Sequence, residues 1–264
     1  MSADRPGKKR ARVDYDLIAH QYDGQPYRQK QVDPDLLSFL AQRSQPFSEL
    51  SLLDMGCGTG NQLAAHRPIL PGATLVGVDL FQGMLRQAVP KSDQVYWVQG
   101  DNAAPPFPDR SFDYISNQFS FHHVRDQHAM IHAVFRLLRP NGRFVMANIC
   151  PRRMPEWIYY RYFPDAYDVD LRDFMPVPDL AALLETAGFV NIQLDFTDID
   201  ETLNLREFLE SIHDRQHCSQ LIGLSEVQFQ SGAQRVIQDI EDAGGEPVLA
   251  HSKVCLLKLR AEKS

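Results

Sequence analysis

The chain has 264 residues, of which 44% are hydrophobic and 23% charged, and a formal net charge of −7. That is the composition of an ordinary soluble globular protein with room for one substantial core. The acidic balance disfavours broad nucleic-acid binding, which relies on Lys and Arg to neutralise phosphates.

The opening MSADRPGKKR lacks the apolar stretch of a secretory signal, and each later apolar run is soon broken by Pro, Gly or a charge. A cytoplasmic protein with no membrane span is therefore expected. Lys8, Lys9, Arg10 and Arg12 read as a flexible basic tail over residues 1–13, although such a run also suits nuclear import or a polyanion. Residues 14–264 then form a single domain. Cys57, Cys150, Cys218 and Cys255 form no CxxC pair and have no zinc-like spacing with His, so reduced thiols and no metal site are expected.

From Ser51 onward, β-branched runs alternate with amphipathic stretches, the pattern of an α/β fold whose parallel sheet is covered by helices. The expected strands are SLLDMG, TLVGVDL, VYWVQGD, FDYISNQ and GRFVMANI, with helices from Asn61, over 82–89 and over DQHAMIHAVFRLL. The last helix is expected to stop at Arg139, before Pro140 and the turn residues Asn141 and Gly142. An aromatic segment follows, PEWIYYRYFPDAYDVDLRDF, and then a helix, DLAALLETAG, closed by Gly188. After a strand FVNIQLDF comes a mostly helical stretch from about Leu203, and the chain closes on a strand-like VLAHSKVCLLKLR. The two irregular stretches, about 151–176 and 203–245, read as insertions that form a substrate lid.

Chemistry enters at Asp54, Met55, Gly56, Cys57, Gly58, Thr59 and Gly60, where a buried strand turns into a helix. Glycine lets backbone approach a ligand closely, and a helix amino terminus favours a ligand carboxylate by about 0.3 to 1 kcal/mol where exposed. A tight turn without a ligand would look the same. Asp79, followed by Leu80 at the end of the next strand, stands where a carboxylate would hold both hydroxyls of a ribose, or cap the following helix. Asp101 and Asn102 at the third strand end suit the edge of an adenine, or a turn before Pro105 and Pro106. Together the three strand ends point to one adenosine ligand. Cys57, set between glycines, reads as a small packing residue rather than a nucleophile.

The runs LLDMGCGTG, GVDLFQGML, GDNAAPPFPDRSFDYI and LLRPNGRFVM resemble the class I S-adenosylmethionine-dependent methyltransferases, and within them the ubiquinone and menaquinone (type 11) group. The resemblance covers about residues 15–196 and implies a Rossmann-like, doubly wound sheet of seven strands, mostly parallel, with the last antiparallel. By it, Asp54, Gly56, Gly58, Thr59 and Gly60 cradle the methionine part of S-adenosylmethionine, Asp79 holds the ribose, and Asp101 and Asn102 the adenine. Gln118 sits beside the sulfonium. The segment YDLIAHQYDG looks like the family's leading helix, with Tyr22 over the methyl-transfer site, unless it is only a surface-packed helix.

Methyl transfer from a sulfonium is an in-line displacement onto a small-molecule acceptor, here expected to be apolar or aromatic, and leaves S-adenosylhomocysteine. Placement alone can lower such a barrier by roughly 7 to 11 kcal/mol. If the acceptor must lose a proton, His122 and His123 are the candidate bases or hydrogen-bonding groups, unless they only anchor the next helix. Trp157, Tyr160 and Arg161 in the aromatic segment are candidate substrate contacts, or part of a helix packing its rings inward. Two rival readings remain. A non-catalytic cofactor-binding partner protein would keep the same loop, whereas an NAD-dependent oxidoreductase would place glycine where Asn61 stands. Oligomeric state is not legible.

Overall fold

Leu52, Leu53 and Met55 in the first strand are almost completely buried, which requires neighbours on both edges and cover on both faces. The computed structural model provides them, and it describes residues 13–24, 28–213, 215 and 218–264. The predicted basic tail, apart from Val13, lies outside the described residues. β1 (Ser51–Met55) pairs in parallel with β2 (Thr74–Asp79) and with β4 (Phe112–Gln118), so that Leu53 stands between Val76 and Ile115. β3 (Tyr96–Gln99) and β5 (Leu138–Ile149) extend the parallel sheet outward. β7 (Leu249–Lys263) runs antiparallel to both β5 and β6 (Phe189–Asn204), giving the order β3-β2-β1-β4-β5-β7-β6. This is the seven-stranded sheet with an antiparallel last strand that the resemblance implies.

Because side chains alternate across a strand, the sheet separates two cores. Leu52 and Tyr114 pack with Leu36 and Phe39 of α1 (Pro34–Ala41) and Leu63 of α2 (Asn61–His66). Leu53 and Ile115 face Ile131 and Val134 of α4 (Gln127–Leu137) and Leu184 of α7 (Val177–Ala187). α3 (Gln82–Ala88) follows β2 and presents Met84 to Ile18 and Ala19.

The edges of several elements differ from expectation. α4 stops at Leu137, not Arg139, because Leu138 is already extended at φ −67°, ψ 139° and pairs with Phe112. The expected leading helix is instead two 3-10 turns, Tyr15–Leu17 and Ala19–Gly24; ten residues ending in glycine give too few bonds to offset helix nucleation. β6 continues eight residues past Phe196, to Asn204, through the polar run TDIDETLN. A cross-strand ion pair, Lys253 to Asp198 at 2.9 Å, and a polar contact of His251 with Asp200 at 3.4 Å accompany its ladder in place of an apolar face.

The aromatic segment forms α5 (Ile158–Tyr162) and α6 (Pro164–Asp173). Between β6 and β7 the chain forms α8 (Leu205–Ile212), α9 (Ser219–Ile222) and α10 (Glu226–Asp242). Gly232 lets α10 close on these rings, since a Cβ there would lie 2.2 Å from Phe163. Among the described residues no helix is long and apolar enough to cross a membrane.

Candidate active site

The sheet order reverses beside β1, so the loops leaving β1 and β4 part and open a crevice at the carboxyl ends of the strands. Gly56 has φ +73°, and a Cβ on it would fall 2.1 Å from Ser120 Oγ, which locks the loop after β1 against the loop after β4. Gly58, at φ +53°, would direct a Cβ into space with no atom within 4 Å. Its N–H donates to Asp79 Oδ2 at 2.8 Å, while the other carboxylate oxygen accepts from the Phe81 N–H at 2.9 Å. Asp79 and the glycine loop therefore share one end of the sheet.

A cleft of ≈70 Å3 lies there, lined by Gly56, Gly58, Asp79, Leu80, Asn102, Gln118, Tyr22 and His123 of the predicted set. Other predicted residues stand around it rather than on its wall. Gly60 precedes α2 beneath Trp97. Thr59 Oγ1 donates to Asp23 at 2.6 Å, fastening the amino-terminal cover. Asp101 is exposed and accepts from the Ala103 N–H at 2.9 Å, whereas Asn102 is buried and its Oδ1 has no hydrogen-bond partner.

Asp54 is the last residue but one of β1, just before the loop. Ser116 Oγ donates to it at 2.8 Å, yet burial pushes its carboxyl up to about 6, against the pull of that bond and of the Lys30 charge. Burial also raises the Cys57 thiol, which suits its packing role.

Several residues at the site carry no motif. Tyr15, from the cover, places its hydroxyl 2.8 Å from His123 Nε2 across 108 residues of sequence; burial raises its phenol, which stays protonated. Phe119 and Ser120 line the cleft, with Phe119 at φ +53°. Asn117 Nδ2 donates to Met55 O at 2.6 Å and to Ser120 Oγ at 2.5 Å, bracing the two loops. The polar run at the end of the fourth strand was the available signal for these, and nothing local marks Tyr15.

His122 and His123 lie side by side, rings 3.9 Å apart, but point to different tasks. The Ile149 N–H donates to Asn148 Oδ1 at 3.0 Å, which turns the amide so that its Nδ2 donates to His122 Nδ1 at 3.2 Å. His122 Nε2 then carries the hydrogen and, though buried, has no partner. Burial holds the ring far below the ordinary histidine range, so it is neutral, and Phe174 stacks on it at 4.1 Å.

His123 and Val124 form a seam between the cleft and a second hollow of ≈590 Å3, lined also by His122, Arg125, Gln127, Asp170 and Phe174. That hollow in turn shares Arg152, Phe174, Met175 and Pro176 with an apolar one of ≈220 Å3, reached by Met146, Ile149 and Leu257. Trp157, Tyr160 and Arg161 line none of the three. Trp157 packs on Tyr159 at 4.6 Å, Tyr160 donates to the buried Asp170 at 2.7 Å, and Arg161 pairs with Asp239 at 3.6 Å. The rings at 157 and 160 thus serve the packing of α5 on α6, and the residues of this segment that line the larger hollow come mainly from α6 and the turn after it.

Comparison with known proteins gives a consistent family. A methyltransferase-domain model matches residues 53–146. The demethylmenaquinone methyltransferase of Roseiflexus castenholzii is 30% identical over 161 residues, 53% of this chain and 68% of that one. The malonyl-[acyl-carrier protein] O-methyltransferase of Methylococcus capsulatus is 29% identical over 196 residues, 73% of this chain and 70% of that one. Among solved structures, Haemonchus contortus phosphoethanolamine N-methyltransferase 2, in complex with S-adenosylhomocysteine, superposes with a TM-score of 0.58 at 17% identity, over 95% of this chain and 57% of that one. The YcgJ protein of Bacillus subtilis gives 0.56 at 17%, over 86% and 96%. These two share the fold.

Proposed function

The chain belongs to the class I S-adenosylmethionine-dependent methyltransferases, and we propose that it methylates a small molecule whose reacting end is polar and whose remainder is apolar. The observation that carries this reading is the seam at His123 and Val124, where the cleft at the glycine loop meets the ≈590 Å3 hollow. An acceptor placed there would have its reacting atom beside the cleft and its apolar part directed past Phe174 toward Met146 and Leu257.

The cofactor fits the residues present. Asn102 Oδ1 is a buried acceptor in want of a donor, as an adenine amine would supply. The space a Cβ on Gly58 would fill lets the ligand lie against backbone, and Asp79 is placed for ribose hydroxyls. When bound, the cofactor supplies an activated methyl group on a sulfonium. At ≈70 Å3 the cleft is well under the roughly 300 Å3 at which ligand pockets begin, so this reading requires the cover bearing Tyr15 and Tyr22 to move to admit it.

The chain's own contribution is placement and one proton. His122, neutral with a hydrogen on Nε2, holds an acceptor oxygen as a donor and cannot act as a base through that nitrogen. In the tautomer whose Nε2–H donates to the Tyr15 phenol oxygen 2.8 Å away, His123 has Nδ1 as the basic nitrogen for an acceptor hydroxyl or acidic carbon; in the other, where the phenol donates to Nε2, Nδ1 carries the hydrogen and serves as a donor.

The test is S-adenosylhomocysteine formation, followed by mass spectrometry, across phenolic and carboxylic acceptors with alkyl chains of graded length. KM is expected to fall as the chain lengthens, and His123→Ala to lower kcat by about a hundredfold or more with S-adenosylhomocysteine affinity unchanged. His122→Ala is expected to lower turnover less steeply. No product with any acceptor, or undiminished turnover in both variants, contradicts the proposal.

A further inference from the structure

The larger hollow and the apolar one share a wall made by Arg152, Phe174, Met175 and Pro176. Phe174 carries that wall to the site, stacking on His122 at 4.1 Å with the ring planes 13° apart. His122 lines the larger hollow, and Asn148, which donates to its Nδ1, lines the apolar one. The backbone around Phe174 is fixed from three sides. Its N–H donates to Asp170 O at 2.9 Å, its carbonyl accepts from Arg152 Nη1 at 3.0 Å, and the Asp173 carbonyl accepts from Gln127 Nε2 at 2.9 Å. With the His122 ring tied to Asn148 and Pro176 limited in φ, the wall cannot widen without breaking the ring stack. The size of the side chain at position 174 therefore sets what passes between the hollows.

The two hollows differ in kind. The larger offers polar groups, among them the unpartnered Nε2–H of His122. The smaller is walled mainly by Phe121, Met146, Ile149, Leu180, Phe196 and Leu257 and favours hydrocarbon. An acceptor oxygen held at His122 has the Phe174 ring beside it and this apolar space beyond. We propose that Phe174 selects the acceptor, admitting one unbranched chain into the apolar hollow and rejecting a branched or ring-shaped one. The inference rests on the reading of His122 and the seam as the acceptor site, and adds to it a substrate class, the single-chain amphiphile, with a ceiling on its length. At roughly 30 Å3 for each heavy atom, the share of a water in the liquid, the ≈220 Å3 hollow holds about seven carbons. Each methylene within that length tightens binding by about fourfold, the gain from burying one CH2, and later ones add little.

Titration calorimetry with S-adenosylhomocysteine present tests this on two series, para-alkylphenols and straight-chain carboxylic acids, each with a cyclohexyl member to match its hexyl one. The native protein is expected to bind more tightly with each methylene, to level off near the ceiling, and to prefer hexyl over cyclohexyl by about tenfold, a modest cost for forcing bulk into a packed wall. Phe174→Ala should bring hexyl and cyclohexyl within about twofold of each other, and Phe174→Trp should remove the gain per methylene. A merely damaged fold would weaken every ligand alike and leave both the ratio and the slope in place. Equal binding of hexyl and cyclohexyl by the native protein overturns the proposal without recourse to any variant. So does a ratio and slope unchanged in both variants, which would mean that the chain runs elsewhere. No gain with length in the native protein, or no binding of either series, contradicts the acceptor reading itself, a different failure.

Discussion

Asp54 sits where charge is expensive, and its titration separates stability from binding. Its folded pKa of about 6 lies above the ordinary 3.8, so the folded state holds a proton that the unfolded chain has lost between those values. The penalty for ionised Asp54 is fully present above pH 6 and vanishes as pH falls toward 3.8, so this residue makes the ligand-free fold more stable in mild acid. If Asp54 faces the methionine end of the cofactor, as the resemblance implies, binding should run the other way, since the ligand's ammonium favours the ionised carboxyl: affinity for S-adenosylhomocysteine is expected to fall by up to about tenfold per pH unit below 6. Asp54→Asn should flatten both profiles, as read by thermal unfolding and calorimetry across pH 4.5 to ~8. Affinity that holds constant through pH 6 in the native protein contradicts this account of Asp54. At this scale the motif residues were legible because loop and strand end fix them: Gly58 and Asp79 meet as their spacing implies. Asp101 and Asn102 were equal in sequence, and only burial tells them apart. Lys30, Ser120 and Tyr15 carry no local mark, since their contacts cross from one loop to another, in the case of Tyr15 over 108 residues.

Among the elements, β1, β2 and β4 stand where their apolar runs predict, because strands buried on both faces have few other ways to satisfy their sequences; β3 is a shorter edge strand with Tyr96 exposed, and β5 starts at Leu138, ahead of the expected turn at Asn141 and Gly142. The parts misjudged are those whose stability comes from partners rather than pattern. β6 past Phe196 is polar and mostly exposed, and is held by its ladder with β7 and by cross-strand charge. The leading segment forms 3-10 turns held by Thr59 on Asp23 and by Lys91 on Asp23 at 2.5 Å. The aromatic segment, expected to supply substrate contacts at Trp157, Tyr160 and Arg161, turns its rings toward α6, α8 and α10 instead. That packing has a direct test at Gly232, where an added methyl would overlap Phe163 and lie 2.9 Å from Tyr162 O. Gly232→Ala is expected to cost about 1–3 kcal/mol of stability, measured by urea unfolding. Unchanged stability would mean that α10 does not seat on these rings.

At the scale of the whole molecule, the topology explains why a site exists at all. Placing β2 and β4 on either side of β1 brings three strand ends to one edge and lets their loops diverge. The antiparallel pair β6 and β7 extends the far edge, and α9, between them, brings Ser219 and Gln220 to the larger hollow beside the cleft. The central claim is that this edge holds S-adenosylmethionine against Gly58, and calorimetric titration with S-adenosylhomocysteine tests it most directly. The native protein is expected to bind one molecule per chain, and Gly58→Leu, whose side chain would enter the open part of the cleft, to unfold cooperatively yet bind at least about tenfold more weakly. No heat with the native protein, or undiminished binding in Gly58→Leu, would contradict the account.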